Sequence, residues 1–192
     1  MEPGIEHNDR LTQVGVVPQV LSAAQCARAI ALAQEFAPKA GRVGTTDAER
    51  ADIRRSQIWF FDPSPETAEV FEAVRKVVAT LNQGYRFELT GFASGCQIAR
   101  YTDEVRGHYD WHIDLGVGAT SRRKLSASIQ LSPGEAYEGG DLEFHLSGLD
   151  RDKMRQQGTL IAFPSFLEHR VTPVTRGERY SLVVWVDGPP YR

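Results

Sequence analysis

The sequence predicts a mainly β fold of the α+β class, in which a two-sheet antiparallel barrel or jelly roll is supported by N-terminal helices. Eight short runs rich in aromatic and β-branched residues fill the second half of the chain, and Gly or Pro turn signals separate them. Two longer segments with helical spacing come before those runs. The length of 192 residues is close to the usual size of one domain.

The chain divides into three predicted regions of a single domain, residues 1–192. Residues 1–13 are polar and form a tail, and residues 84–192 form the β core. Residues 14–83 supply helical support. Within them, the charged loop 39–56 is a candidate lid over a site, and a plain connector is an equal alternative.

The helices and strands follow from local patterns. A helix is predicted over 22–36, because Ser22 and Gln25 form a capping box ahead of an alanine-rich segment. A second helix is predicted over 65–81, where apolar residues recur at helical spacing. The predicted strands are 58–61, 86–92, 96–101, 108–115, 124–131, 141–145, 159–163, 169–173 and 180–186.

Composition excludes several classes of function. The only two cysteines, Cys26 and Cys96, are far apart and cannot build a disulfide framework or a zinc site of three or four thiolates. A formal charge of −3 gives no general attraction to phosphate or anionic lipid, so we expect neither nucleic acid nor a membrane as a partner. The N-terminus is polar and acidic, unlike a signal peptide, which predicts a cytoplasmic protein.

Metal chemistry would have to use imidazole and carboxylate ligands, and the pattern His-x-Asp provides both. On a strand, residues i and i+2 point to the same face, so such a pair can aim at one point. His112 and Asp114 are favoured because Trp111, Ile113 and Leu115 alternate with polar residues, which predicts one buried face. The other two pairs are 108–110, nearer a turn, and 7–9, in the tail with His7.

His169 is the third candidate ligand, since it follows a buried-strand pattern and the turn Pro164-Ser165. Two His and one Asp on one face of an octahedron leave three positions free, as in non-haem Fe(II) enzymes that bind a cosubstrate and O₂. Zinc prefers a closed tetrahedral site. The pattern alone also fits a strand of mixed surface charge without a metal.

Arg179 and Ser181 form a candidate clamp for a carboxylate. A guanidinium beside a hydroxyl offers a charge-assisted bidentate pair and one further hydrogen bond. A turn at 175–178 is expected to fold the chain back, so that the strand of Arg179 runs antiparallel to that of His169. A surface ion pair with Glu178 or Asp187 is the alternative.

Six motif elements, in order over about residues 96–185, resemble the Fe(II)/2-oxoglutarate dioxygenases of the prolyl 4-hydroxylase-like class. The PKHD-type hydroxylases of bacteria and phages have the most similar pattern. The elements are Tyr109-x-x-His112-x-Asp114, Arg123 to Ser126, Leu131-Ser132, Tyr137-x-Gly139-Gly140-x-Leu142, Gly158 to Val174 with Phe163, Pro164, Ser165 and His169, and Gly177-x-Arg179-Tyr180-Ser181.

The resemblance implies a double-stranded β-helix and assigns roles within it. His112, Asp114 and His169 would bind iron, and Arg179 would bind the C5 carboxylate of 2-oxoglutarate. The residues expected to assist at the cosubstrate are Ser181, Tyr101, Ser126 and Ser128. Trp185 corresponds to an aromatic residue that commonly lies near the metal. Apart from the resemblance, composition and position make Arg55 and Trp59 candidates for the substrate entrance. Tyr109 and Trp111 are further candidates near the metal or the entrance, and a buried position is the alternative for Trp111. The implied cofactors are Fe(II), 2-oxoglutarate and O₂, with ascorbate as a candidate reductant.

The implied reaction is hydroxylation of an unactivated C–H with release of succinate and CO₂. Asp114 occupies the position that related halogenases leave open for halide, which favours hydroxylation. A prolyl residue of a peptide or protein is the favoured substrate, and a free amino acid or small metabolite is the alternative. Arg179 stands where collagen-type enzymes usually carry lysine, which argues against a collagen-like substrate. A cupin-like metal-binding jelly roll without oxygenase activity is the competing class.

Overall fold

The strands form two antiparallel sheets, in a computed structural model that describes residues 8–41, 50–92 and 95–191. The large sheet contains β1 (Gly15–Val17), β2 (Lys39–Ala40), β4 (Gln57–Phe61), β5 (Cys96–Thr102), β7 (Arg123–Gln130), β8 (Tyr137–Gly139), β10 (Leu160–Pro164) and β12 (Val174–Asp187). The small sheet contains β3 (Arg54–Arg55), β6 (His108–His112), β9 (Leu142–Phe144) and β11 (His169–Val171). The predicted jelly roll is confirmed.

The strand order explains how the sheets are connected. The large sheet runs β1-β10-β7-β12-β5-β4-β2, with β8 paired to the start of β12, and the small sheet runs β3-β6-β11-β9. The chain crosses repeatedly between the sheets, for example from β5 to β6 to β7 and from β10 to β11 to β12, so functional side chains from distant segments meet in the space between them.

Two helices cover the outer face of the large sheet. The first, α1 (Ala23–Gln34), has Ser22 as its N-cap in the predicted capping box, and the second is α2 (Ala68–Tyr85). Both bury apolar residues against the large sheet in one core, where each fully buried side chain contributes roughly 1.5–3 kcal/mol. A short helix, α3 (Arg151–Arg155), was not predicted. No helix in the described ranges is long and apolar enough to cross a membrane.

The predicted strand over 86–92 is wrong. Arg86 ends α2 in a left-handed conformation, with φ 60°, and the following residues make only an isolated bridge between Gly91 and Asp187. Strands β1, β2, β3 and β8 were not predicted, because each has only two or three residues and no clear alternation. Strands β2 and β3 lie within the segment 39–56, so the prediction that this whole segment is a loop is wrong at both of its ends.

The described part of the predicted tail is anchored to the end of α2. The Asn8 side-chain amide donates to the Tyr85 carbonyl at 2.9 Å, and the Tyr85 hydroxyl donates to the Gln13 carbonyl at 2.9 Å. Residues 1–7, which include His7, lie outside the described residues. Residues 42–49 of the candidate lid also lie outside them, so the lid stays a prediction.

The turn predicted at 175–178 is wrong, and the difference decides where Arg179 lies. Strand β12 continues for 14 residues and pairs with β5 and β7, so that Arg179 lies beside Tyr101 and Ser181 beside Gln130. Arg179 therefore belongs to the large sheet, whereas His169 belongs to the small one.

Alternation along β12 then assigns the two faces. Arg179, Ser181 and Trp185 line the space between the sheets, and the intervening residues Tyr180, Leu182 and Val184 join the core beneath the helices. Strand β12 thus contributes one face to the hydrophobic core and the other face to the lining of the cavity.

Candidate active site

Three side chains converge in the space between the two sheets. His112 ends β6, Asp114 lies two residues further on, and His169 begins β11, directly opposite His112 in the register. His112 Nε2 is 3.9 Å from Asp114 Oδ1, and His169 Nε2 is 3.7 Å from Asp114 Oδ2. One ligand atom from each lies within 4.8 Å of the other two, which is a separation that one metal ion can bridge.

Backbone hydrogen bonds orient both imidazoles. His112 Nδ1 lies 2.7 Å from the Asp110 carbonyl, and His169 Nδ1 lies 2.9 Å from the Leu167 carbonyl. A carbonyl can only accept, so each Nδ1 carries the hydrogen and each Nε2 presents its lone pair to the centre. Metal-binding histidines are generally fixed in this way.

Backbone and side-chain contacts, and not strand geometry, hold Asp114 in place. Strand β6 ends at His112, and the N–H groups of Asp114 and Leu115 each donate to the Ser165 carbonyl at 2.9 Å. The Ser126 hydroxyl donates to Asp114 Oδ2 at 2.6 Å. The predicted strand to residue 115 with a buried apolar face is therefore wrong, and Ile113 is 49% exposed.

The electrostatics of the cluster favour the ligating protonation states. Burial and the charge of His169 lower the pKa of His112 to about 4. Burial raises the pKa of Asp114, but the charges of His169 and His112 and the Ser126 hydrogen bond outweigh it and hold that pKa below its usual range. Near neutral pH the site therefore offers a neutral imidazole at His112 and a carboxylate at Asp114.

A stacked pair of rings supports His112 from one side. The Tyr109 ring lies parallel to the His112 ring at 3.5 Å between centroids, and the Arg54 guanidinium lies 4.4 Å from the Tyr109 centroid. A register shift between β6 and β11 brings this about, since two residues separate Tyr109 from His112 where only one separates their partners. Tyr109 lies at the site, as predicted for the metal or entrance region.

The cluster opens into a cavity of about 650 Å³ between the sheets. Its lining includes these residues from the sequence prediction: His112, Asp114, His169, Arg179, Ser181, Tyr101, Ser128, Trp185 and Tyr109. Trp185 lies beneath the Arg123 guanidinium, 3.9 Å from ring centroid to Cζ. A cavity of this size accommodates a small cosubstrate together with part of a second molecule.

Arg179 is a buried cation that lines this cavity from β12 of the large sheet. It is 2% exposed, its Nε donates to Gln130 Oε1 at 3.1 Å, and its Nη1 donates to Ser181 Oγ at 3.3 Å. No carboxylate among the described residues, Asp187 included, pairs with it, and Glu178, the other predicted alternative partner, pairs with Arg100 at 2.7 Å. A buried charge without a counter-ion is costly, so this position favours an anionic ligand.

Four of the predicted site residues lie elsewhere. Ser126 is fully buried and its hydroxyl is directed to Asp114, so it holds a metal ligand and does not line the cavity. Trp59 faces the helices, because its neighbours on β4 take the cavity face. Its Nε1 donates to the Phe36 carbonyl at 2.9 Å, and its ring stacks on Tyr180.

Trp111 and Arg55 are also away from the cavity. Trp111 lies on the outer face of the small sheet, where it stacks on His145 at 3.8 Å. Arg55 is exposed, and its guanidinium donates to the carbonyls of Ala51 and Val105. It lines a neighbouring cavity of about 460 Å³, which shares Arg54 with the first.

Among the polar residues that the sequence interpretation did not assign to the site, Gln130, Arg123 and Arg54 contact predicted site residues. Gln130 lies on the same face of β7 as Ser126 and Ser128, so the two-residue alternation of a strand could have predicted it. Arg123 donates to the Asp114 carbonyl at 3.2 Å, and Arg54 lies above Tyr109. Arg123 stands in a motif element but had no assigned role, and no local pattern marks Arg54, since the contacts that place both arginines are long-range.

The fold and the donor set define a metal-dependent site of the two-His, one-carboxylate type, which suits non-haem Fe(II). The family model of the 2OG-Fe(II) oxygenase superfamily matches residues 96–187. A PKHD-type hydroxylase of Colwellia psychrerythraea is 30% identical over 176 residues, which are 89% of this chain and 76% of that protein. The chain belongs to the 2OG-Fe(II) oxygenase superfamily, as the motifs predicted.

Two further comparisons agree. A PKHD-type hydroxylase of Synechococcus sp. (strain CC9605) is 39% identical over 80 residues, but the match spans only 36% of that relative's length. The crystal structure of a Pseudomonas putida prolyl-4-hydroxylase superposes with a TM-score of 0.72 at 26% identity, covering 95% of this chain and 97% of that one. The predicted Fe(II) and 2-oxoglutarate are the cofactors for which the superfamily is named. Ascorbate stays a prediction.

Proposed function

We propose that the protein is an Fe(II)- and 2-oxoglutarate-dependent dioxygenase that hydroxylates a prolyl residue of a peptide or protein. The observation that carries the proposal is the shared cavity, in which the cluster of His112, Asp114 and His169 faces a buried Arg179 that has no counter-ion among the residues that the structure describes. A cupin-like metal-binding protein has no need of that buried cation.

The three ligands would hold Fe(II), and the bound metal would supply activation of O₂. A metal held by two imidazoles and one carboxylate would keep other coordination positions for the cosubstrate and O₂. Arg179 would bind the distal carboxylate of 2-oxoglutarate through the N–H groups that Gln130 and Ser181 leave unused. Both ends of the cosubstrate are thus fixed by groups that the fold already holds.

Tyr101 and Ser128 complete the proposed cosubstrate pocket. Tyr101 is 3% exposed, and its ring lies 5.6 Å from the Arg179 guanidinium carbon. Ser128 lines the cavity on β7, two positions from Gln130. These side chains restrict water around the distal carboxylate, which strengthens its attraction to Arg179.

The prolyl substrate is proposed from the relatives. The Pseudomonas putida protein of similar fold is described as a prolyl-4-hydroxylase. The cavity volume leaves space beside the cosubstrate for a five-membered ring, with Tyr109 and Trp185 as apolar walls near the metal ligands.

Succinate formation from 2-oxoglutarate, measured with Fe(II) and prolyl peptides, tests the proposal. Arg179→Gln should raise the KM for 2-oxoglutarate roughly thirtyfold or more, because truncating one partner of a buried charge pair costs about 2–5 kcal/mol. Asp114→Ala should abolish succinate formation. Arg170→Gln is the matched control, since Arg170 pairs with Glu143 on the surface at 2.8 Å.

Mass spectrometry of the peptides supplies the second measurement. Hydroxylation adds the mass of one oxygen atom, about 16 Da. If succinate forms and a free amino acid is oxidised while no prolyl peptide is, the substrate is a small metabolite and not a peptide. Normal succinate formation by Asp114→Ala would refute the assignment of the metal site.

A further inference from the structure

We propose that the substrate peptide carries a bulky apolar side chain next to the hydroxylated residue, and that Phe60, Ile113 and Val117 receive it. This inference rests on the proposed function and names the determinant of specificity. We call these three residues the apolar rim.

The apolar rim consists of large hydrophobic side chains left in solvent at the mouth of one cavity. Phe60 is 53% exposed, Ile113 is 49% exposed and Val117 is 69% exposed, and all three line the cavity that contains the metal ligands. Phe60 projects from β4 of the large sheet, whereas Ile113 and Val117 follow β6 of the small sheet. The rim therefore borders the mouth from both sheets.

Single exposed apolar residues are ordinary on protein surfaces, but a cluster at a cavity mouth marks a binding surface. Three of the exposed large hydrophobic residues in the described chain share this one mouth, and the remaining ones lie away from this cavity. Covering the rim on binding removes apolar area from water and so favours the complex.

The charges inside the cavity argue for a peptide over a free amino acid. Among its described lining residues, Lys39, Arg54, Arg123 and Arg179 are cationic, and Asp114 is the only acid and is a proposed metal ligand. A free amino acid is a zwitterion: its carboxylate could pair with one of these cations, but its ammonium group would find no acid among the described lining residues except the proposed ligand Asp114. A peptide bond carries no such charge, and the neighbouring side chain extends from the cavity to the rim.

A peptide library tests this inference. The peptides have a central proline with all residue types at the two positions on each side, and mass spectrometry measures which sequences gain oxygen. In the parent we expect bulky apolar residues to exceed serine about tenfold at one position beside the proline, since burial of such a side chain supplies that much discrimination. The variants Phe60→Ser and Val117→Ser should lower this preference at least threefold.

Controls separate the rim from its surroundings. Leu146→Ser removes an exposed apolar residue that does not line the cavity, so the preference should not change. Ile113 is left in place, because it lies between two proposed metal ligands. Thermal unfolding of each variant checks that the fold is retained.

The outcomes distinguish this inference from the proposed function. If the parent oxidises no peptide in the library, the proposed function fails. If peptides are oxidised without an apolar preference, or with a preference that both rim variants keep, the proposed function stands and the rim inference is overturned. A higher kcat/KM for free L-proline than for any peptide would also overturn it.

Discussion

Replacement of Ser126 by alanine should weaken metal binding without unfolding the protein. The Ser126 hydroxyl donates to Asp114 Oδ2 at 2.6 Å, and it also lies 3.0 Å from Ser165 Oγ. Ser126 is 0% exposed, so no solvent molecule would take over the hydrogen bond directly. The variant leaves a buried carboxylate oxygen of a proposed ligand without its donor.

The expected magnitude follows from the character of that bond. A donor–acceptor distance of 2.6 Å is in the range of charge-assisted O–H···O⁻ bonds, and a hydrogen bond to a charged group contributes about 1.5–3 kcal/mol. This energy corresponds to a loss of roughly 10- to 100-fold in metal affinity, the range found when such supporting partners are removed. The hydroxyl also lowers the pKa of Asp114, so the proton competes better in the variant and the loss grows as the pH falls.

Anaerobic titration with Fe(II), or with Mn(II) as a redox-stable substitute, measures the affinity. Ser128→Ala is the matched control, because Ser128 lies on the same face of the same strand and has no hydrogen bond to Asp114. We expect its metal affinity to equal that of the parent. Equal affinities for Ser126→Ala and the parent would refute the conclusion that this hydroxyl holds Asp114 in its ligating position.

Three further predictions concern stability and thiol reactivity. Arg155→Met should lower the free energy of unfolding by about 3 kcal/mol in urea titrations, because Arg155 bonds Asp141 at 2.6 Å and three backbone carbonyls at 2.8 Å; an unchanged midpoint would contradict this. Trp59→Ala should lower the free energy of unfolding by about 3–5 kcal/mol and leave the KM for 2-oxoglutarate as in the parent, since Trp59 packs in the helix-side core. A raised KM with unchanged stability would show instead that Trp59 lines the cavity. Burial raises the pKa of Cys26 to about 11 and that of Cys96 to about 12, so neither should react with a disulfide reagent at pH 8 until urea is added; rapid reaction of the folded protein would show that a thiol is accessible.

Much of the fold was predictable because its signals are local. The capping box at Ser22 fixed the start of α1, and runs of β-branched and aromatic residues located most strands to within a few residues. The strand over 86–92 failed because its composition suits a strand although only Gly91 pairs there, in one bridge to Asp187 at the end of β12. Pairing is a property of the whole sheet, and composition does not report it.

The candidate site was also predictable only where its signals are local in the sequence. His112 and Asp114 are close in sequence, so a local pattern placed them together, although contacts with Ser165 and Ser126 and not a continuous strand hold the aspartate. Strand alternation placed Trp111 opposite His112, as observed, so the expectation that Trp111 lies near the entrance was wrong.

The sequence by itself determined the mainly β class, the helix start and the types of side chain available for ligation, since these depend on residues within a few positions of one another. Tertiary structure alone decided that Arg179 faces the metal ligands from the opposite sheet, that Ser126 supports a ligand and that Trp59 belongs to the core. Each of these facts depends on which strands pair and which face each strand buries. Strand pairing and the choice of buried face minimise the free energy of the whole chain, so they cannot be inferred from any short segment.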